Sequence, residues 1–93
     1  MELTSTIVED QAGVAVEAEI FGKRVRQLRL AAGWTQEELA EAAGITTTYT
    51  SDLERGTKVP SLTILLRVSR AFRISIGELL RDFTVDSVRR MRL

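Results

Sequence analysis

Gly44 stands between two short segments that each carry a helix-start signal, and this close spacing restricts the fold more than any other feature of the chain. Thr35 followed three positions later by Glu38 spells a capping box, in which hydroxyl and carboxylate each satisfy an orphan amide of the first helical turn. The helix that starts there ends at Gly44, a residue free to adopt the left-handed C-cap conformation. Thr46, Thr47 and Thr48 are poor helix formers in a helix interior but suit an N-cap and first turn. From that cap, Ile45, Tyr49 and Leu53 recur at four-residue steps as one inward face, and Gly56 is placed to terminate the helix near Arg55. A turn at a single glycine sets two helices at a wide angle, and small Ala40 beside Ile45 and Leu53 lets them pack closely. Thr47, Thr48, Ser51 and Asp52 are left facing outward.

The flanking sequence also reads as short helices separated by turn signals, with no internal repeat and no alternating strand pattern of useful length. Phe21, Val25, Leu28 and Ala32 give a first helix one apolar face, and Gly33 supplies its C-cap. Trp34 falls in the connection, where a lone aromatic is read as packing rather than as a stacking platform for single strands. Arg24 and Arg26 are read as a solvated helix face. Pro60 precedes Ser61, the N-cap of a helix that buries Leu62, Leu65, Val68 and Phe72. Ser75 and Glu78 form a second capping box, opening a short helix with apolar Ile76, Leu79 and Leu80 and an internal Gly77. Val85, Val88 and Met91 extend a last helix capped by Thr84 or Asp86, with Arg89, Arg90 and Arg92 making it basic.

Ninety-three residues suffice for one compact core and no second catalytic domain. The chain has no Cys and no His, which closes off disulfides, thiolate chemistry, most zinc sites and imidazole catalysis. No metal or cofactor is expected. The formal charge of zero hides an asymmetry: residues 1–19 hold Glu2, Glu9, Asp10, Glu17 and Glu19 without a cation, while residues 20–93 hold all 13 Lys and Arg against eight acids. Charge therefore sets an acidic arm over 1–19, expected to be disordered, apart from a modestly basic helix-turn-helix-sized domain over 20–82 and a tail over 83–93 that is expected to serve as a dimerisation helix. No apolar run approaches the roughly 20 residues that span a bilayer, and Met1 to Asp10 lacks a basic signal-peptide start, so a cytoplasmic protein is expected.

An exposed, short, polar helix face fits the major groove of B-DNA, where base edges present distinguishable donors and acceptors. The run Thr35-Gln36 to Leu39-Ala40, then Gly44-Ile45-Thr46, then Tyr49-x-Ser51 to Glu54-Arg55-Gly56, then Pro60-Ser61-Leu62 resembles the phage repressor and Cro-like, or Xre-type, helix-turn-helix family. The resemblance covers about Phe21 to Leu80. It implies an all-α, compact five-helix repressor-like bundle and a DNA-binding dimer. It also implies that Thr47, Thr48, Ser51 and Asp52 contact bases, and that Thr35, Gln36, Thr46, Arg55 and Lys58 contact phosphates. Asp52 has two readings, as an acceptor for a cytosine amino group or as a helix-surface carboxylate, since phosphates repel it. Tyr49 is read as core, and Arg29 with Glu54 as a structural pair between the first and third helices.

The reading helix lacks Arg, Lys, Gln or Asn at its exposed central positions. Readout is then expected to lean on hydroxyl, methyl, water-mediated and shape-dependent contacts. The reading that follows is a homodimeric transcriptional regulator and not an enzyme, acting on a pseudo-palindromic operator and similar in size to restriction-modification controllers. Its dimer contact is expected from Ile74, Ile76, Leu79 and Phe83. The alternative is an antitoxin-like interaction module with secondary DNA binding, for which the N-terminal arm would hold a protein partner.

Overall fold

The structure, a computed structural model, describes residues 15–93. Among them are six helices and no strand: α1 (Val16–Ala31), α2 (Gln36–Ala43), α3 (Thr47–Arg55), α4 (Leu62–Phe72), α5 (Ile76–Leu79) and α6 (Val85–Arg90). No helix among the described residues is long and apolar enough to cross a membrane. The expectations attached to residues 1–14 lie outside the described residues.

Helix α1 starts at Val16, inside the segment that charge assigned to an arm. The reason is physical: Glu17 and Glu19 occupy the first turn, where carboxylates complement the positive end of the helix dipole. Ala18 is already core, at 2% exposure. Two of the acids that marked the arm by composition, Glu17 and Glu19, are thus a helix start.

The caps organise the next three elements. Thr35 and Glu38 form the reciprocal capping box, with Thr35 Oγ1 accepting from the Glu38 amide at 3.1 Å and the Glu38 carboxylate accepting from the Thr35 amide at 2.8 Å. Gly44 takes φ 71° at the end of α2, and Gly56 takes φ 76° at the end of α3. Thr46 caps α3 by accepting from the Tyr49 amide at 3.0 Å. Ser61 caps α4, which ends on Arg73 at φ 58°, a left-handed position with no glycine to signal it. Thr84 caps α6 in a box with Ser87.

Ser75 caps α5 by accepting from the Glu78 amide, but the expected return bond is not made. The Glu78 carboxylate turns instead to Arg24 and Arg81, at 3.1 and 3.0 Å. This corrects the placement of Arg24, which is 4% exposed and donates to the Leu79 and Glu78 carbonyls at 3.2 and 2.7 Å. Its guanidinium satisfies carbonyls at the end of a helix only four residues long and so joins α1 to α5.

The core gathers Phe21, Val25, Leu39, Ala43, Leu53, Val68 and Leu79, one or two from each of the first five helices. Trp34 seals one side by stacking on Phe72 with ring centroids 5.4 Å apart. Leu62, expected to be buried, is 67% exposed, because it lies in the first turn of α4 beyond the edge of this core. Helices α1 and α3 pack closely at Gly22, where an added Cβ would stand 2.4 Å from the Leu53 carbonyl oxygen.

Candidate nucleic-acid interface

A single carboxylate holds α3 in place. Glu54, its side chain 3% exposed, accepts from Arg29 Nε at 2.6 Å, Arg29 Nη2 at 3.1 Å and Gln36 Nε2 at 3.1 Å, with Arg26 Nη1 3.8 Å away. Arg29 also donates to the Trp34 carbonyl at 2.8 Å, so the cluster joins α1, the α1–α2 connection, α2 and α3. The Glu54 hydrogen bond, opposed by desolvation and reinforced by the charges of Glu54 and Glu37, holds the Arg29 guanidinium above its ordinary range. On the buried side of α3, Leu53 and Thr50 are fully enclosed, and Thr50 Oγ1 donates to the Thr46 carbonyl at 3.0 Å. The opposite side is thereby fixed outward.

On that side Thr46, Thr47 and Thr48 are exposed at the start of α3, and Thr46 spends its hydroxyl on the cap. Ser51 and Asp52 follow one turn on, both half-buried. Arg55 folds back over them, its Nη1 donating to Ser51 Oγ at 2.7 Å and its Nη2 to Asp52 Oδ1 at 2.5 Å. The three- and four-residue spacings of this triad are those at which helical side chains meet, so the sequence contained the signal. The Asp52 charge thus meets its counter-ion on the same helix, which offsets the repulsion expected between a carboxylate and phosphates.

Gln36 sits at the first position of α2 with its side-chain amide on Glu54, so in this state it has a structural partner as well as its place at a helix start. Thr35 is exposed with its hydroxyl in the capping box, and Lys58 is exposed in the connection after α3. Tyr49 is half-buried beside Ile45, Thr46 and Ile64. Burial, then the Asp52 charge, push its phenol above the ordinary value.

Arg67 was not anticipated. From α4 it donates to the Gly44 carbonyl at 2.8 Å, capping the end of α2 at the turn that precedes α3. Twenty-three residues separate the partners, and no local pattern reports such a contact.

Of the residues expected at a dimer contact, Ile74, Ile76 and Phe83 are half-buried. Leu79 is corrected: it is 0% exposed within the monomer core and presents no surface to a partner. The short α5 turns it inward, where it packs with the other core residues.

Residues 25–79 match the helix-turn-helix family. The chain is 42% identical over 66 residues to the control protein C.BamHI of Bacillus amyloliquefaciens, covering 70% of this chain and 80% of that one. Its fold is similar to the restriction-modification controller protein C.AhdI from Aeromonas hydrophila, with TM-score 0.66 and 38% identity over 68% of this chain and 96% of that one. It is also similar to SinR, a master regulator for biofilm formation solved in complex with DNA, with TM-score 0.61 and 38% identity over 64% and 97% of the two chains. The coupled signals from the Thr35 capping box to the Pro60-Ser61-Leu62 run, the Glu54-centred arrangement of α1 to α3, and these matches agree, and the chain belongs to the Xre-type helix-turn-helix family.

Proposed function

We propose that this protein is a sequence-specific DNA-binding regulator of transcription that acts as a homodimer, placing α3 of each copy in the major groove of one half of a pseudo-palindromic operator. The observation that carries the reading is the outward face of Thr47, Thr48, Ser51, Asp52 and Arg55, held on a helix that Glu54 locks to α1 and α2. The SinR structure in complex with DNA, and the control and controller proteins among the relatives, support it.

In this reading Thr47 and Thr48 meet base edges first, since the N-terminal residues of a reading helix lie deepest in the groove. Ser51 and Asp52 follow. Thr35, Gln36, Thr46, Arg55 and Lys58 fix the register on phosphates, with the dipole of α2 aiding the contact at Gln36. Two-fold symmetry sets half-site centres about 34 Å apart. The dimer uses Ile74, Ile76 and Phe83 together with exposed Val59, Leu62 and Leu66, which replace Leu79 in that role. The protein works in the cytoplasm.

Selection from a pool of random DNA duplexes, followed by titration of the winners with salt, tests this directly. A two-fold-related consensus whose affinity falls steeply with salt is expected, because phosphate contacts release counterions. Sequence-independent enrichment, or affinity indifferent to salt, overturns the reading.

A further inference from the structure

The matched family segment ends at residue 79, and the chain continues into α6. None of the α6 residues is buried, and the helix leans only marginally on the rest of the bundle. Its side chains are nonetheless sorted. Val85, Val88 and Met91 recur at three-residue steps along one side, with Val85 75% and Val88 39% exposed. Arg89 and Arg90 lie in the last turn and Arg92 just beyond it. Phe83, immediately before α6, lines a shallow hollow with Thr84, Val85, Val88 and Arg89. The same Phe83 lines a second, adjoining groove with Ala18, Phe21, Val59, Pro60, Leu65 and Leu80, whose acidic margin is Glu17 in the first turn of α1.

The fold therefore carries an apolar groove with an acidic margin and, sharing Phe83 with it, an apolar helix with a basic end. We propose that α6 of one copy seats in the groove of a second copy, Val85 and Val88 packing into it beside Phe21, Leu65 and Phe83, and Arg89 meeting Glu17. The charge complementarity of helix and groove identifies the occupant as a second copy of this chain. Because one chain supplies both helix and groove, a two-fold axis makes the contact twice, as an isologous interface requires. The exchange would remove a contiguous apolar surface from water, which is the state in which such patches are stable. This clasp rests on the homodimer reading and adds α6 to the residues that hold the dimer together.

Sedimentation of the full-length chain and its variants, with Trp34 fluorescence as a check on folding, tests the clasp. Val85→Asp with Val88→Asp alters only exposed positions and is expected to weaken the dimer on the order of a hundredfold by burying charge in place of apolar surface. Glu17→Arg and Arg89→Glu should each weaken it, and the two together should restore it. A dimer of unchanged strength in the Val85→Asp, Val88→Asp variant overturns the clasp while leaving the homodimer reading intact. So does dissociation by Leu62→Asp with Leu66→Asp but not by the α6 variant, which would assign the contact to α4. A monomeric full-length chain overturns both.

Discussion

Arg29 and Glu54 meet in a two-pronged ion pair between α1 and α3, Nε to Oε2 at 2.6 Å and Nη2 to Oε1 at 3.1 Å, with both side chains almost wholly out of solvent. Two charges taken out of water are costly, and their pairing offsets that cost only while both remain. Removing one leaves the other buried without its counter-ion. Arg29→Ala is therefore expected to destabilise the fold by about 3 to 5 kcal/mol, the range for breaking a buried pair, with Arg26 and Gln36 offsetting part of the loss. Urea unfolding followed by Trp34 fluorescence measures it. A loss under about 1 kcal/mol, the range of an exposed pair, would show that Glu54 does not depend on Arg29 for its place.

Gly22 is a point of close approach between α1 and α3. Replacing it by alanine in a helix interior should on propensity alone add about 1 kcal/mol of stability. The space forbids it: the new Cβ would lie 2.4 Å from the Leu53 oxygen and 2.8 Å from the Glu54 oxygen, both backbone atoms. Helix α3 must shift, and overpacking of this kind costs about 1 to 3 kcal/mol or more, so Gly22→Ala should lower Tm and weaken DNA binding together. Gly33→Ala is the control. That position has φ 73° and open space, so it should cost only about 1 kcal/mol of left-handed strain and leave DNA binding unaltered.

What the sequence made legible is local. Caps and terminators at Thr35, Gly44, Thr46, Gly56 and Ser61 are read from neighbours within a few residues, and these elements stand where those signals put them. The Arg29–Glu54 pair was legible only through the family resemblance. Several misreadings trace to packing that no local pattern reports. Arg24 looked like a solvated face because its carbonyl partners on α5 are more than 50 residues away. Glu78 fits a capping box by spacing, but Arg24 and Arg81 offer its carboxylate charged partners. Leu79 has the composition of an interface residue, and only the packing of α5 shows that the core already uses it. Asp52 was ambiguous for a different reason, since the rotamer of Arg55 decides whether its charge is free.

Tyr49 links the fold to pH. Its folded pKa is raised, by burial first and by the Asp52 charge second. A raised pKa means that the unfolded chain loses the phenol proton first. Stability from this group is then fully present below the unfolded value and declines as pH rises through about 10 toward the folded value. Tyr49 is the only tyrosine, so phenolate absorbance reports it alone. The midpoint should lie above that of the unfolded chain, Asp52→Asn should bring it partway down, and Tyr49→Phe should flatten the alkaline loss of stability. A midpoint in the folded protein at or below the unfolded one would contradict the burial of this side chain.

Arg55 couples two tasks, of which the sequence showed only the second. In the free protein it holds Ser51 and Asp52, while in the proposed complex it is a phosphate contact at the end of the reading helix. An exposed pair three residues apart on a helix is worth only about 0.3 to 0.5 kcal/mol, so a phosphate can draw Arg55 away at little cost. Arg55→Ala should then weaken all sites by similar factors and reduce the steepness of the salt dependence by about one unit, as loss of one phosphate contact does. Asp52→Asn removes a carboxylate from the groove and should raise affinity for unselected DNA while changing which sites win. If Asp52 acts on DNA chiefly through Arg55, the double variant should retain the site preferences of Arg55→Ala alone. Binding measured across a panel of single-base operator variants decides. Independent effects of the two substitutions would show Asp52 reading bases directly, and unaltered preferences in Asp52→Asn would remove it from the interface altogether.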